Sequence, residues 1–224
     1  MYWLFISTEG TYVGPRLVAL LYDWTATRYD RIKNLHFVDE ARFIGLPLMA
    51  ALEGRAAPLV LDVATGTGRV PLAVLNRLAP AWRFVGLDRS PGMLASAQRA
   101  LADWSAQVAL VRGDASALPF AEGTFDAVAC LEALEFMDSW AAVVAELARV
   151  VRPGGVLLLS NRVGAEARLF VGRLARRGAL ESCLAHLGLT DIRTERWQVH
   201  YDLVWARKAA PQQTIPPGEH EDEA

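Results

Sequence analysis

A chain of 224 residues, 53% of them hydrophobic and with a formal net charge of −2, suits a single α/β domain whose sheet is covered on both faces. The lack of a basic excess argues against a general nucleic-acid binder. The two cysteines, Cys130 and Cys183, have neither metal-ligand nor redox spacing, so they read as small buried hydrophobes in a reducing compartment, and no metal site is expected.

Met1 to Ile6 is apolar but short, with no basic region and no small-residue cleavage site, so no signal peptide is expected. No apolar run reaches the roughly 20 residues that cross a bilayer. The expected location is the cytoplasm, without stable membrane insertion. Residues 1–55 are aromatic-rich and are expected to form an N-terminal helical cap that binds substrate. Tyr22, Trp24, Tyr29 and Phe37 either line an apolar cavity there or pack the segment onto the sheet.

From residue 56 to 208, short β-branched runs alternate with helical patterns. The runs are Leu59 to Val63, Arg83 to Leu87, Val108 to Arg112, Ala127 to Cys130 and Val156 to Ser160. They read as parallel strands buried on both faces. Ser90-Pro91 reads as an N-cap followed by proline at the first helical position. Trp140, Val143, Val144, Leu147 and Val151 form one apolar stripe. That helix is expected to stop at the breaker cluster Arg152 to Gly155, before the fifth strand. A last helix is expected over Leu180 to Leu187, then closing strands over Ile192 to Trp197 and Tyr201 to Arg207. Their turn lacks Gly or Asn. Residues 209–224 read as a disordered tail.

The predicted fold is a doubly wound, mostly parallel seven-stranded Rossmann-like sheet with an antiparallel last strand. Ligands bind such sheets outside the carboxyl ends of the strands. Asp62, Asp88, Asp114, Glu132 and Asn161 fall at those ends.

The loop Asp62-Val63-Ala64-Thr65-Gly66-Thr67-Gly68 offers close backbone approach to a ligand. It is not a dinucleotide fingerprint, because the third glycine position falls on Pro71. Nor is it a P-loop, since no Gly-Lys-Ser/Thr follows. Asp62 repels a pyrophosphate but suits an ammonium.

With these blocks the chain resembles the class I S-adenosylmethionine-dependent methyltransferases. The resemblance runs through Val60 to Gly68, Val85 to Leu94, Gly113-Asp114-Ala115, Leu118-Pro119-Phe120, Phe125 to Val128 and Leu147 to Gly155, in order. Within the family it is most similar to the group with the ubiquinone and menaquinone C-methyltransferases, which the segment Tyr22 to Asp30 also resembles. Ala64 stands where many members have glycine. The resemblance implies S-adenosylmethionine as cofactor. Asp62 and the Gly66–Gly68 loop then face its methionine end, Asp88 its ribose hydroxyls, and Met93, Asp114 and Ala115 its adenine. Leu131 and Glu132 lie near the sulfonium and the acceptor. Ala64, Arg89 and Tyr29 complete the expected cofactor set.

Methyl transfer is an in-line displacement, and much of its rate comes from positioning. Candidate bases are Glu132, Glu135 and His36. The basic segment Arg168 to Arg177 is either a solvated helix face or a dock for an anionic partner. No Asn/Asp-Pro-Pro-aromatic segment follows the fourth strand, and no proline precedes Cys130. Nucleic-acid base methylation is therefore disfavoured, and a small-molecule acceptor is left by elimination, with aromatic and lipid-like compounds as the classes to screen. Two rivals stand beside this reading. One is a non-catalytic scaffold or regulatory protein on the same fold. The other is an NAD(P)-dependent oxidoreductase, supported by Asp88 at 22 positions beyond Gly66.

Overall fold

A computed structural model of the chain describes residues 40–76, 81–164, 167 and 176–210. The expectations for Tyr22, Trp24, Tyr29, His36, Phe37, Arg168, Arg173 and the tail beyond residue 210 fall outside the described residues.

Seven strands form one sheet. They are β1 (Leu59–Val63), β2 (Arg83–Asp88), β3 (Val108–Arg112), β4 (Phe125–Cys130), β5 (Val151–Arg162), β6 (Leu189–Gln198) and β7 (Tyr201–Lys208). Their order is β3-β2-β1-β4-β5-β7-β6. The pairs β1–β2, β1–β4, β2–β3 and β4–β5 are parallel, and β7 runs antiparallel to both neighbours. Strand order reverses between β1 and β4, so a crevice opens above their carboxyl ends. Among the described residues the helices are α1 (Leu46–Ala51), α2 (Arg69–Leu75), α3 (Pro91–Ala100), α4 (Trp140–Val150) and α5 (Ala179–His186), with a π-helical turn, Ala41–Gly45, leading into α1.

The two-residue alternation of the strands divides the core into two layers. Leu61, Val63, Val128, Cys130, Leu157 and Leu159 pack against Val143, Val144 and Leu147 of α4. Val60, Ala127, Ala129, Val156 and Leu158 face the other way, onto Ile44, Leu48 and α2. Each such Leu or Val, fully buried, contributes about 1.5–3 kcal/mol. Ser90 caps α3 by accepting the Met93 N–H at 3.0 Å, with Pro91 at the first helical position. Ser139 caps α4 through the Ala142 N–H.

Two expectations need correction, and a third holds by a route that the sequence did not announce. First, β3 is not buried on both faces. It is the edge strand, and none of its residues is buried. Its apolar run served as well for a half-covered edge as for an interior strand. Second, Arg152 to Gly155 does not precede the fifth strand but lies inside it. Phe125 pairs with Val151 and Ala127 with Val156, so the cluster bulges past Asp126. A Cβ on Gly155 would sit 2.8 Å from the Arg152 carbonyl oxygen, so the bulge needs glycine there. Third, the β6–β7 hairpin closes over Val199 and His200 without a positive-φ residue in the turn, and the register shifts between Arg196 and Gln198. A bulge at Trp197 does the work that a primed Gly or Asn turn does elsewhere.

Candidate active site

The cleft at the carboxyl ends of β1, β2 and β4 is built by the loops that follow them. After β1 the chain turns at Ala64 (φ 56°), Gly66 (φ 56°) and Gly68 (φ 89°) into α2. Ala64 holds a left-handed conformation that favours glycine, which accounts for glycine being common there in similar loops. The two glycines divide the labour. A Cβ on Gly66 would meet open space, whereas one on Gly68 would lie 2.6 Å from Leu101 Cδ1. Gly66 therefore faces the cleft, and Gly68 lets α2 close onto the end of α3.

Asp62 is 2% exposed at the base of this loop, where its Oδ2 accepts the Thr65 hydroxyl at 2.7 Å. Burial pushes its carboxyl up to about 7. The Thr65 hydrogen bond opposes that, the Asp88 charge adds to it, and the Arg69 charge opposes it. A carboxyl so placed is held partly protonated, and a cation beside it would favour its ionised form. Asp88 accepts the Gly66 N–H at 2.8 Å on Oδ2 and the Ser90 N–H at 2.9 Å on Oδ1. Asp114 Oδ1 accepts the N–H and the hydroxyl of Ser116, at 2.9 and 2.7 Å. These bonds, with Arg89 3.8 Å away, hold its carboxyl below the usual range.

Nine of the eleven expected cofactor residues line this cavity of about 180 Å³: Asp62, Ala64, Gly66, Asp88, Arg89, Met93, Asp114, Ala115 and Leu131. Gly68 sits behind the loop, and Tyr29 lies outside the described residues. Glu132 also lines the cavity, in a left-handed conformation (φ 51°). Its Oε1 accepts from Arg69 at 2.9 Å and Gln198 at 3.2 Å, and its N–H donates to Ser160 Oγ at 2.6 Å.

Glu135 does not line the cavity. It is 1% exposed, accepts the Tyr201 hydroxyl and lies 3.6 Å from Arg162. Burial pushes its carboxyl up, against the Tyr201 hydrogen bond. Arg177, from the expected basic segment, makes a bidentate pair with buried Asp202 at 2.6 and 3.1 Å.

Sequence reasoning missed Thr65, Arg69, Phe136 and Met137 as lining residues. Arg69 had a visible signal, since a cation at the start of a helix opposes the dipole. Phe136 ends a 3₁₀ turn, Leu134–Phe136, that no periodicity announces, and Met137 follows it.

The cavity fits S-adenosylmethionine. Asp62 offers a carboxylate to an ammonium, and the open face of Gly66 offers close backbone approach. Asp88 brings a carboxylate, which matches a pair of hydroxyl donors, and Met93 gives a polarisable thioether for a flat ring.

Residues 60–155 match the family model described as a methyltransferase domain. The demethylmenaquinone methyltransferase of Thermus thermophilus is 38% identical over 135 residues, 60% of this chain and 60% of that protein. The chain spans about three fifths of the length of the curated relatives it matches. Among solved structures, an S-adenosyl-L-methionine-dependent methyltransferase from Methanococcus maripaludis is similar with a TM-score of 0.66. Its identity is 17%, and the match covers 86% of this chain and 95% of that one. The (4+2)-cyclase SpnF is similar with a TM-score of 0.62 at 20% identity, covering 76% of this chain and 81% of that one. At those identities the likeness is one of fold. Sheet order, loop sequence and family match agree: residues 60–155 are similar to a methyltransferase domain, on a sheet of the same fold.

Proposed function

We propose that the protein transfers a methyl group from S-adenosylmethionine to a small aromatic acceptor bound beside Glu132. The observation that carries the reading is the convergence of Asp62, Asp88 and Asp114, from the ends of three adjacent strands, on one cavity with the open face of Gly66. Support for the acceptor class comes from relatives named demethylmenaquinone methyltransferase. Residues 56–208 are the donor-binding domain in this reading, and residues 1–55 cover the acceptor.

When bound, S-adenosylmethionine supplies an electrophilic methyl on a sulfonium. The chain's own residues do the rest. Asp62 holds the ammonium and Asp88 the ribose hydroxyls. Met93 packs on the adenine, while Asp114 and the Ala115 N–H read its edge. The half-buried Leu131, with buried Ala133, narrows the far end and excludes water. Held in line, reacting groups gain effective molarities of about 10⁵ M or more, so positioning supplies much of the rate.

A specific observation favours a second reading, a non-catalytic or differently catalytic protein on this fold. Of the expected bases, Glu135 is off the cavity and Glu132 is in an ion pair. The fold likeness to a (4+2)-cyclase points the same way. Turnover separates the readings. The full chain is incubated with methyl-labelled S-adenosylmethionine and a panel of hydroxylated aromatic compounds, and label transfer is followed. Label in an aromatic product supports the proposal. Donor binding with no label in any acceptor gives the second reading.

A further inference from the structure

Arg69 breaks a local rule. It is the first residue of α2, where the helix dipole disfavours a cation by about 0.3–1 kcal/mol. Contacts from three other segments hold it there. Its Nε donates to Glu40 Oε1 at 2.6 Å, its Nη1 donates to Glu132 Oε1 at 2.9 Å, and its guanidinium lies 5.7 Å from the centre of the Trp197 ring. Glu132 breaks a second rule with its left-handed backbone, a strain of about 1–3 kcal/mol that persists only where surroundings enforce it. Gln198 and Ser160 enforce it. Two violations meeting at one point of a cleft mark function rather than folding.

Charge sharpens the assignment. Among the described residues that line the cleft, the cations are Arg69 and Arg89. Arg89 stands at the Asp114 end and is half-exposed. Arg69 stands at the Glu132 end and is 17% exposed, with Glu40, Glu132 and Asp62 as its charged neighbours.

We propose that Arg69 and Glu132 form the acceptor-activating pair: Glu132 takes the proton of a hydroxyl on an aromatic acceptor, and Arg69 holds the oxyanion left behind. The inference rests on the methyl-transfer reading. The acceptor O–H bond breaks, its proton goes to the Glu132 carboxylate, and its electron pair delocalises onto a ring carbon. The carbon–methyl bond forms as the sulfur–methyl bond breaks, the latter's electron pair staying on sulfur. The ring carbon then loses its proton to water, and the oxygen takes one back from Glu132. Throughout, one negative charge moves between two oxygens beside Arg69 Nη1 while Glu40 stays on its Nε, so the site reorganises little. A phenol with a pKa of about 10 yields its proton to a carboxylate of about 4.3 only uphill in water. The pair therefore selects acceptors with acidic hydroxyls, such as rings that carry an electron-withdrawing carbonyl.

The test uses the full chain loaded with S-adenosylhomocysteine and 4-nitrophenol as probe, whose phenolate is coloured and whose phenol is not. Bound probe is expected to ionise at a pH at least one unit lower than in water, a tenfold change in its ionisation equilibrium. Arg69→Met is expected to abolish that change, and Arg69→Lys to keep part of it. Glu132→Gln is expected to keep it while cutting label transfer by about a hundredfold, since it retains the cation but loses the base. A wild-type chain that leaves the probe's ionisation unchanged, or does not bind the probe, overturns the proposal even if a variant misfolds. So does an Arg69→Met chain that ionises the probe like wild type. Failure of the wild-type chain to bind S-adenosylhomocysteine overturns the methyl-transfer reading instead.

Discussion

The carboxylate of Asp88 accepts the backbone N–H of Gly66 at 2.8 Å, across 22 residues of chain. One residue at the end of β2 thereby fixes the loop that follows β1, and its other oxygen fixes the start of α3 through Ser90. Asp88→Ala is expected to weaken S-adenosylhomocysteine binding at least tenfold, about 1.4 kcal/mol or more, because it removes a ligand and loosens the loop together. Asp88→Asn separates the two effects, because its single carbonyl oxygen keeps one acceptor. Calorimetry on both variants reads the difference.

The two loop glycines are expected to fail differently. Gly68→Ala puts a methyl into Leu101 at φ 89°, and such overpacking costs about 1–3 kcal/mol. Its melting temperature should fall. Gly66→Ala meets no neighbour, so its larger loss should be in donor affinity. Equal effects of both substitutions on affinity and melting would contradict this division.

Asp62 makes the ligand-free protein sensitive to pH. Its carboxyl is raised from 3.8 to about 7, so between those values the folded chain holds a proton that the unfolded chain has lost. Stability therefore falls as pH rises across that window, by about 4 kcal/mol at most. Asp62→Asn is expected to flatten this slope in denaturation at several pH values, and to weaken donor binding. An ammonium beside Asp62 also stabilises its ionised form, so donor binding near pH 7 should release up to about half a proton. Titration in buffers of different ionisation enthalpy measures that release.

Glu135 is buried off the cavity with its carboxyl pushed up. Its contribution to stability is greatest at low pH and is lost as pH rises. Glu135→Gln, neutral at every pH, is expected to gain stability relative to wild type as pH rises. Its affinity for S-adenosylhomocysteine should stay within about threefold, under 1 kcal/mol. A large loss of affinity would place Glu135 in the site.

Asp126 tests the opposite end of the sheet. It accepts the Leu59 N–H at 2.9 Å and pairs with Arg55 and Arg152 while 3% exposed. Asp126→Ala removes the acceptor of the Leu59 N–H and the partner of two partly exposed arginines, and is expected to cost about 1–3 kcal/mol. Donor affinity measured well below the melting temperature should not change.

Strands and caps were legible because their signals are local. The bounds of β1 and β3, and the Ser90 cap, follow from runs and residue types a few positions apart. The cofactor end of the site was legible for the same reason, since Asp62, Gly66 and Asp88 each sit where a strand ends. The proposed acceptor end was legible only in Leu131 and Glu132. Arg69, Glu132 and Gln198 meet across 63 and 66 residues of chain, and no spacing announces such a meeting. Glu135 looked like a twin of Glu132, but the 3₁₀ turn after β4 swings it away to Tyr201. The β5 bulge was hidden because Pro-Gly-Gly reads as a breaker, whereas here the sheet holds both ends of it.

The most direct test of the account is titration of the full wild-type chain with S-adenosylmethionine, S-adenosylhomocysteine, NAD and NADP. The account predicts that both sulfur nucleosides bind with micromolar Kd, about −8 kcal/mol, and that neither dinucleotide binds. Binding of a dinucleotide with no binding of either sulfur nucleoside would contradict it.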